Sequence, residues 1–439
     1  MLQLFLAHGL GGRSDLPIPL GLAVRAAGAA VFVSFVALAF LWPEPRLRGA
    51  EAGRPLPAVL ERVVDSPVTR TVLRVLVLAL ALFVVVVGLA GPDETEANIA
   101  PWLFHITFWV GLIPASLLLG AFWRYVNPLR LLHGGVARLS GSDPGEGLRR
   151  YPERLGYWPA AVSLAAFVWL ELVAPARDEP YVVASFIAIY GLVHFIAGAV
   201  YGDTWFARGD GFEVYSSFIG RLSPFGRRGD GRLVVRNPLN GIDSVTPRAG
   251  LVAVVSVLIG STAFDGLTRT RLWKDNVEAT SIPLGTLGLL GCVLVVAATY
   301  VLAARLTARA GGDVPAGYYP GAFAASLIPI ALGYAVAHYF SVFMLEGQRT
   351  LFLASDPFET GANLFGMARR RIDYALVSPD TIAYTQVGAI VVGHVLGVIA
   401  AHDRAVRLLP KGSTARGQFP MLVVMVVYTV TGVALLFGS

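Results

Sequence analysis

The sequence predicts an all-α integral membrane protein: a bundle of about ten transmembrane helices with short loops and one interfacial amphipathic helix. Three observations carry this expectation. Of the 439 residues, 55% are hydrophobic and only 15% charged, against roughly a quarter charged in soluble domains. The apolar residues gather in runs of about 18 to 25, long enough to cross a hydrocarbon layer of about 30 Å. The arginines fall between those runs, alternately crowded and sparse, as loops on opposite sides of a membrane require.

The runs lie near 20–42, 71–90, 100–123, 156–175, 181–202, 249–266, 281–304, 321–345, 383–405 and 418–438. Together they make one polytopic domain over 1–439, with the short sixth run the weakest span. The opening MLQLFLAHGLGGRSDLP has no basic start and no small-residue cleavage pattern, so it is not read as a removable signal peptide. Cys292 is the single cysteine, which rules out an intrachain disulfide and a thiolate metal site of the usual kind.

The first connection holds Arg46, Arg48, Arg54, Arg62 and Arg70, and the second, GPDETEANIA, holds none. The third holds Arg124, Arg130, Arg138, Arg149, Arg150 and Arg154, and the fourth only Arg177. The net charge of +6 therefore reads as topology, with no nucleic-acid partner. Odd-numbered loops should face the cytoplasm of a bacterial cytoplasmic membrane, with both termini outside. The RRR run at 369–371 argues the other way.

The longest connection, 203–248, is predicted to be cytoplasmic. Within it Phe212, Tyr215, Phe218, Ile219 and Leu222 fall at helical spacing beside several arginines. They predict an amphipathic helix that lies on the membrane, with residues 212–236 against anionic lipid headgroups, or else a helix docked in a loop. A weak repeat recurs as NPLR at Asn127, DGFE at Asp210 and DPFE at Asp356. Each places a capping residue ahead of Pro or Gly, and the last two add Glu at the third position beyond the cap. They read as helix-opening elements.

No HExxH, CxxC, phosphate-binding glycine loop, nucleophile elbow or dinucleotide fingerprint occurs, so chemistry must come from polar residues at membrane depth. At about 1.5 Å per residue, His105, His338 and His394 fall about 7, 10 and 16 Å below the outer boundary. Glu171, Asp265 and Glu346 sit near that boundary, and His8 precedes the first span. Imidazole with carboxylate suits a divalent metal (zinc, copper or iron), with the three histidines as ligands and Glu171 or Glu346 as catalytic base. For each histidine the competing role is a hydrogen-bonded core residue. Haem between His338 and His394 is a further alternative. Gly393, Gly397 and Ala401 form a small-residue stripe for close helix contact, and His402-Asp403-Arg404 reads as the inner-boundary anchor of that helix.

HGLGGRSDLPIP at 8–19, FEVYSSFIGRLSPFGRRGDGRL at 212–233, GSTAFDG at 260–266, SDPFETGANLFG at 355–366 and GHVLGVIAAHDRA at 393–405 together resemble a family of bacterial polytopic membrane proteins. Some of its members carry the label fenitrothion hydrolase. The resemblance implies a membrane hydrolase of apolar phosphotriester-like substrates, working with a second membrane subunit, and supplies no catalytic residue set. Two other classes fit the same residues: a secondary transporter or permease, and a cofactor-bearing or assembly subunit of a larger membrane complex.

Overall fold

A computed structural model describes residues 19–278, 281–311 and 314–437. Among them, nine helices are long and apolar enough to cross a membrane, so the chain is a multi-pass membrane protein. These are α1 (Leu20–Leu41), α2 (Pro67–Ala90), α3 (Ile99–Leu119), α6 (Pro180–Tyr201), α8 (Leu251–Arg269), α9 (Ile282–Ala310), α10 (Ala316–Leu353), α11 (Pro379–Leu408) and α12 (Thr414–Phe437). Two shorter helices, α4 (Pro128–Leu139) and α7 (Gly211–Ile219), lie in the long connections. The remaining predicted span, the fourth in sequence, is α5 (Trp158–Leu172), an apolar helix of 15 residues, about 22 Å long. The short span is therefore the fourth rather than the sixth. α8 is continuous over 19 residues and is the most buried of the long helices, because it runs between α5, α9, α10 and α12.

Local chemistry sets the helix starts. Ser66 accepts from the Thr69 amide ahead of Pro67 to open α2, and Ser378 does the same with Thr381 ahead of Pro379 to open α11. Asn98 opens α3 by accepting from the Ala100 amide, while its own amide group donates to the carbonyls of Val87 and Pro92. That ties the start of α3 to the end of α2.

The bundle has two distinct ends. At one, loop residues 42–66, 120–157 and 202–250 come together around a small antiparallel sheet of β1 (Arg54–Pro55), β2 (Phe225–Arg227) and β3 (Leu233–Val235), in the order β1-β3-β2. Residues 402–404 at the end of α11 bind this layer. Buried Asp403 accepts from Trp42 Nε1 and from the amides of Arg46 and Leu47. His402 contacts the Trp42 carbonyl, and Arg404 reaches Asp243. These contacts tie the triplet to the loop layer. The other end carries residues 91–98, 173–179, 270–278 and 354–378.

The predicted interfacial helix is corrected by α7. Eight of its nine residues are buried, including Glu213 and Ser216. It is docked against α3, α5 and the helix Phe122–Val126, so it has no face left for lipid. Its polar side chains are satisfied from within: Ser216 meets Ser116, and Glu213 takes a bidentate pair from Arg130 at 2.8 and 2.7 Å. The first two copies of the repeat open α4 and α7 as expected, with Asn127 and Asp210 as caps. The third does not open a helix. Asp356 instead closes a turn by accepting from the amides of Thr360 and Gly361.

α10 and α11 make the most extensive helix pair, and the predicted small-residue stripe is its seam. A Cβ at Gly393 would lie 2.5 Å from the Pro329 carbonyl, and one at Gly333 would lie 2.4 Å from the Ala389 carbonyl. The two backbones touch because neither position carries a side chain.

Candidate functional site

A cavity of about 50 Å³ opens between α3, α5, α8 and α10 beside the loop residues Thr95 and Asp178, toward the end opposite the sheet. Each polar side chain reaches it for a local reason. His105 lies in Trp102–Val110, a nine-residue π-helical stretch inside α3. Such wide turns are mostly short bulges that mark functional sites. Glu171 comes from the last turn of α5, and Arg269 from the last turn of α8, four residues beyond Asp265 on the same face. His338 and Tyr339 are consecutive on α10.

These groups form two connected sets. Asp265 contacts His338 Nε2 and accepts from Arg269 Nη2 at 3.1 Å, while the same Nη2 lies 3.5 Å from His338 Nε2. On the facing side, the Tyr339 hydroxyl donates to Glu171 Oε1 at 3.1 Å. Glu171 Oε2 is buried with no hydrogen-bond partner among the described residues, while the His105 ring is approached by the Arg177 backbone without a hydrogen bond of normal geometry. The rim is held by Trp102 Nε1 donating to the Thr95 carbonyl and by the Thr95 hydroxyl donating to the Asp178 carbonyl. Arg349 stacks over the Trp102 ring at 4.6 Å.

The structure thus brings together His105, His338, Glu171 and Asp265 from four helices. It separates two others. His394 does not line the cavity; it is buried beside Gly393, with Nδ1 at 2.8 Å from the Ile390 carbonyl of its own helix. His338 and His394 therefore do not line one cavity, and the structure does not bring the three-histidine set together there. Glu346 also stands outside the cavity, engaged with Arg349 at 2.9 Å and Tyr374 at 3.4 Å, so it is not placed to act as a base there. His8 lies outside the described residues. Among those residues, no three His, Cys, Asp or Glu side chains stand close enough together to hold a metal ion.

Sequence reasoning missed Arg269, Tyr339 and Asp178. A signal existed for the first: an arginine four residues beyond an intramembrane aspartate can fold back onto it. Tyr339 carried none, since a tyrosine in an aromatic-rich span is unremarkable until its partner is known. No family model matches this chain, and no curated protein or solved structure is detectably similar to it.

Proposed function

We propose that this cavity is a proton-handling site and that the protein is a proton-coupled permease of the bacterial cytoplasmic membrane, with the sheet end in the cytoplasm. The observation that carries the reading is Glu171. One of its oxygens rests on the Tyr339 hydroxyl and the other has no donor, so the carboxyl can take a proton without breaking a hydrogen bond. The Asp265–His338 pair supplies a second acceptor within the same constellation. Ionisable groups at membrane depth are costly and serve relays of this kind. Size supports a proton over a bulky substrate: about 50 Å³ holds a water or two, whereas pockets for drug-sized organic molecules run to about 300 Å³ or more. The basic loops of the sheet end support its cytoplasmic assignment.

A pH jump applied to the protein on a solid-supported membrane should displace charge, and Glu171→Gln and His338→Gln should each abolish the signal. Displacement equal to that of protein-free membrane, or unchanged in both variants, would sink the proposal.

A second reading is favoured by His105, which lines the same cavity as His338 and a Glu171 oxygen with no donor. Zinc, copper or iron could draw together His105, His338 and Glu171, two imidazoles and one carboxylate, and could activate water for the phosphotriester hydrolysis that the family resemblance implies. Metal analysis separates the two readings. Stoichiometric metal lost in His105→Ala, together with phosphotriester turnover, favours the hydrolase. A metal-free protein that keeps its charge displacement favours the permease. A metal-free, electrically silent protein that co-purifies with a second membrane subunit would favour the accessory-subunit class.

A further inference from the structure

We propose that the groove between residues 46–54 and the small sheet is a binding site for a phosphate group, with Arg236 as its fixed floor and Arg46, Arg48 and Arg54 as its rim. The inference is independent of the proton site, which lies at the other end of the bundle.

Arg236 follows β3 and is only 7% exposed. Its guanidinium lies against two glycines: a Cβ on Gly226 would come within 2.5 Å of Cζ, and one on Gly241 within 2.7 Å of Nη2. Any side chain at either position would displace it. Buried arginines normally face a carboxylate. Among the described residues none pairs with Arg236; Nη1 reaches the Arg227 carbonyl only at 3.5 Å, and Nε is buried with no partner. Burial, and then the neighbouring Arg221 charge, lower its pKa to about 10, so it remains a cation at neutral pH.

In front of it opens a cavity of about 530 Å³ whose lining includes Arg46, Arg48 and Arg54 against one acid, Glu51. The rim is not floppy. The amides of Arg46 and Leu47 are held by Asp403, the Arg48 amide by Asn240, and the Arg46 guanidinium stacks on Trp42 at 4.7 Å. A planar, unpaired guanidinium at the floor, with Arg48 and Arg54 among the lining residues and Arg46 held beside them by Trp42 and the Leu41 carbonyl, matches the recognition of phosphate. The phosphate could belong to an anionic lipid headgroup or to a small phosphorylated solute.

The test uses full-length protein and inorganic phosphate. In detergent, phosphate should raise the unfolding midpoint above that in chloride of equal ionic strength. The triple variant R46Q/R48Q/R54Q, altered only at exposed positions, should bind about tenfold or more weakly, and Arg236→Gln should lose binding. This outcome assigns the site to a soluble phosphate. If free phosphate has no effect, but native mass spectrometry finds phosphatidylglycerol retained over phosphatidylcholine by the parent protein and lost in the triple variant, the ligand is a lipid headgroup. Neither effect, or retention undiminished in both variants, overturns the proposal.

Discussion

The side-chain amide of Asn127 donates to the carboxylate of Asp210 across 2.9 Å, so the caps of α4 and α7 hold each other face to face. Three residues on, the relation repeats: Arg130 of α4 clamps Glu213 of α7, and Asn127 reaches Glu213 as well, at 3.1 Å. Two helix openings of like sequence have become one buried polar joint. Tyr190 secures it from α6 by donating to Asp210 at 2.6 Å, and Arg130 also reaches Asp203 at 2.8 Å.

Breaking this joint on one side should be expensive. Asn127→Asp sets a third carboxylate against two buried ones, and Arg130→Met strands Glu213, so each should cost about 3–5 kcal/mol. Thermal unfolding in detergent checks this. Midpoints within a degree of the parent protein would mean that the joint does not hold the fold.

Asp403 should behave similarly at the sheet end. Asp403→Asn removes the charge that Arg407 pairs with at 2.6 Å and turns one carboxylate oxygen into a donor group among the donors it must satisfy. A loss of roughly 3 kcal/mol should accompany faster tryptic cleavage after Arg46 and Arg48, followed by gel and mass spectrometry. Unchanged cleavage would show that the segment is held by something else.

The α10–α11 seam offers a steric comparison within one helix. Gly393→Ala drives a methyl into the Pro329 carbonyl, whereas a Cβ at Gly388 meets nothing within 4 Å. The first should destabilise by about 1–3 kcal/mol, and the second should be neutral or slightly stabilising. Equal unfolding midpoints for the two variants would contradict the close contact.

The pH dependence has a defined sign at Tyr151, which lies between α4 and α5 and donates to the Gly156 carbonyl at 2.8 Å. Burial raises its pKa to about 12, above the value near 10 of an unfolded tyrosine. A raised folded pKa means that its stabilisation is complete below about pH 10 and is lost as pH rises through about 12. Tyr151→Phe should therefore be less stable at pH 8, by about 1 kcal/mol, and the gap should close between pH 10 and 12. A gap that stays constant to pH 12 would refute the assignment.

The sequence by itself determined the class of protein, because hydrocarbon demands long apolar runs and internally satisfied backbone, and both can be read one residue at a time. It also determined which helices carry ionisable groups at a common depth, since depth follows from counting residues along a span. Most of its local signals held, since Ser378 ahead of Pro379 opens a helix and the stripe through Gly393 marks a close contact, whereas Asp356 closes a turn instead of opening a helix. What only the tertiary structure decided is which neighbours those groups meet. Rotation about a helix axis is set by packing against other helices, so His338 was given Asp265 and Arg269 while His394 was buried against the Ile390 carbonyl of its own helix. The same reason buried α7. Its apolar spacing fits a lipid surface and a protein groove equally well, and the choice lay with Asn127 and Arg130, 83 residues away from the Asp210 and Glu213 that they bind.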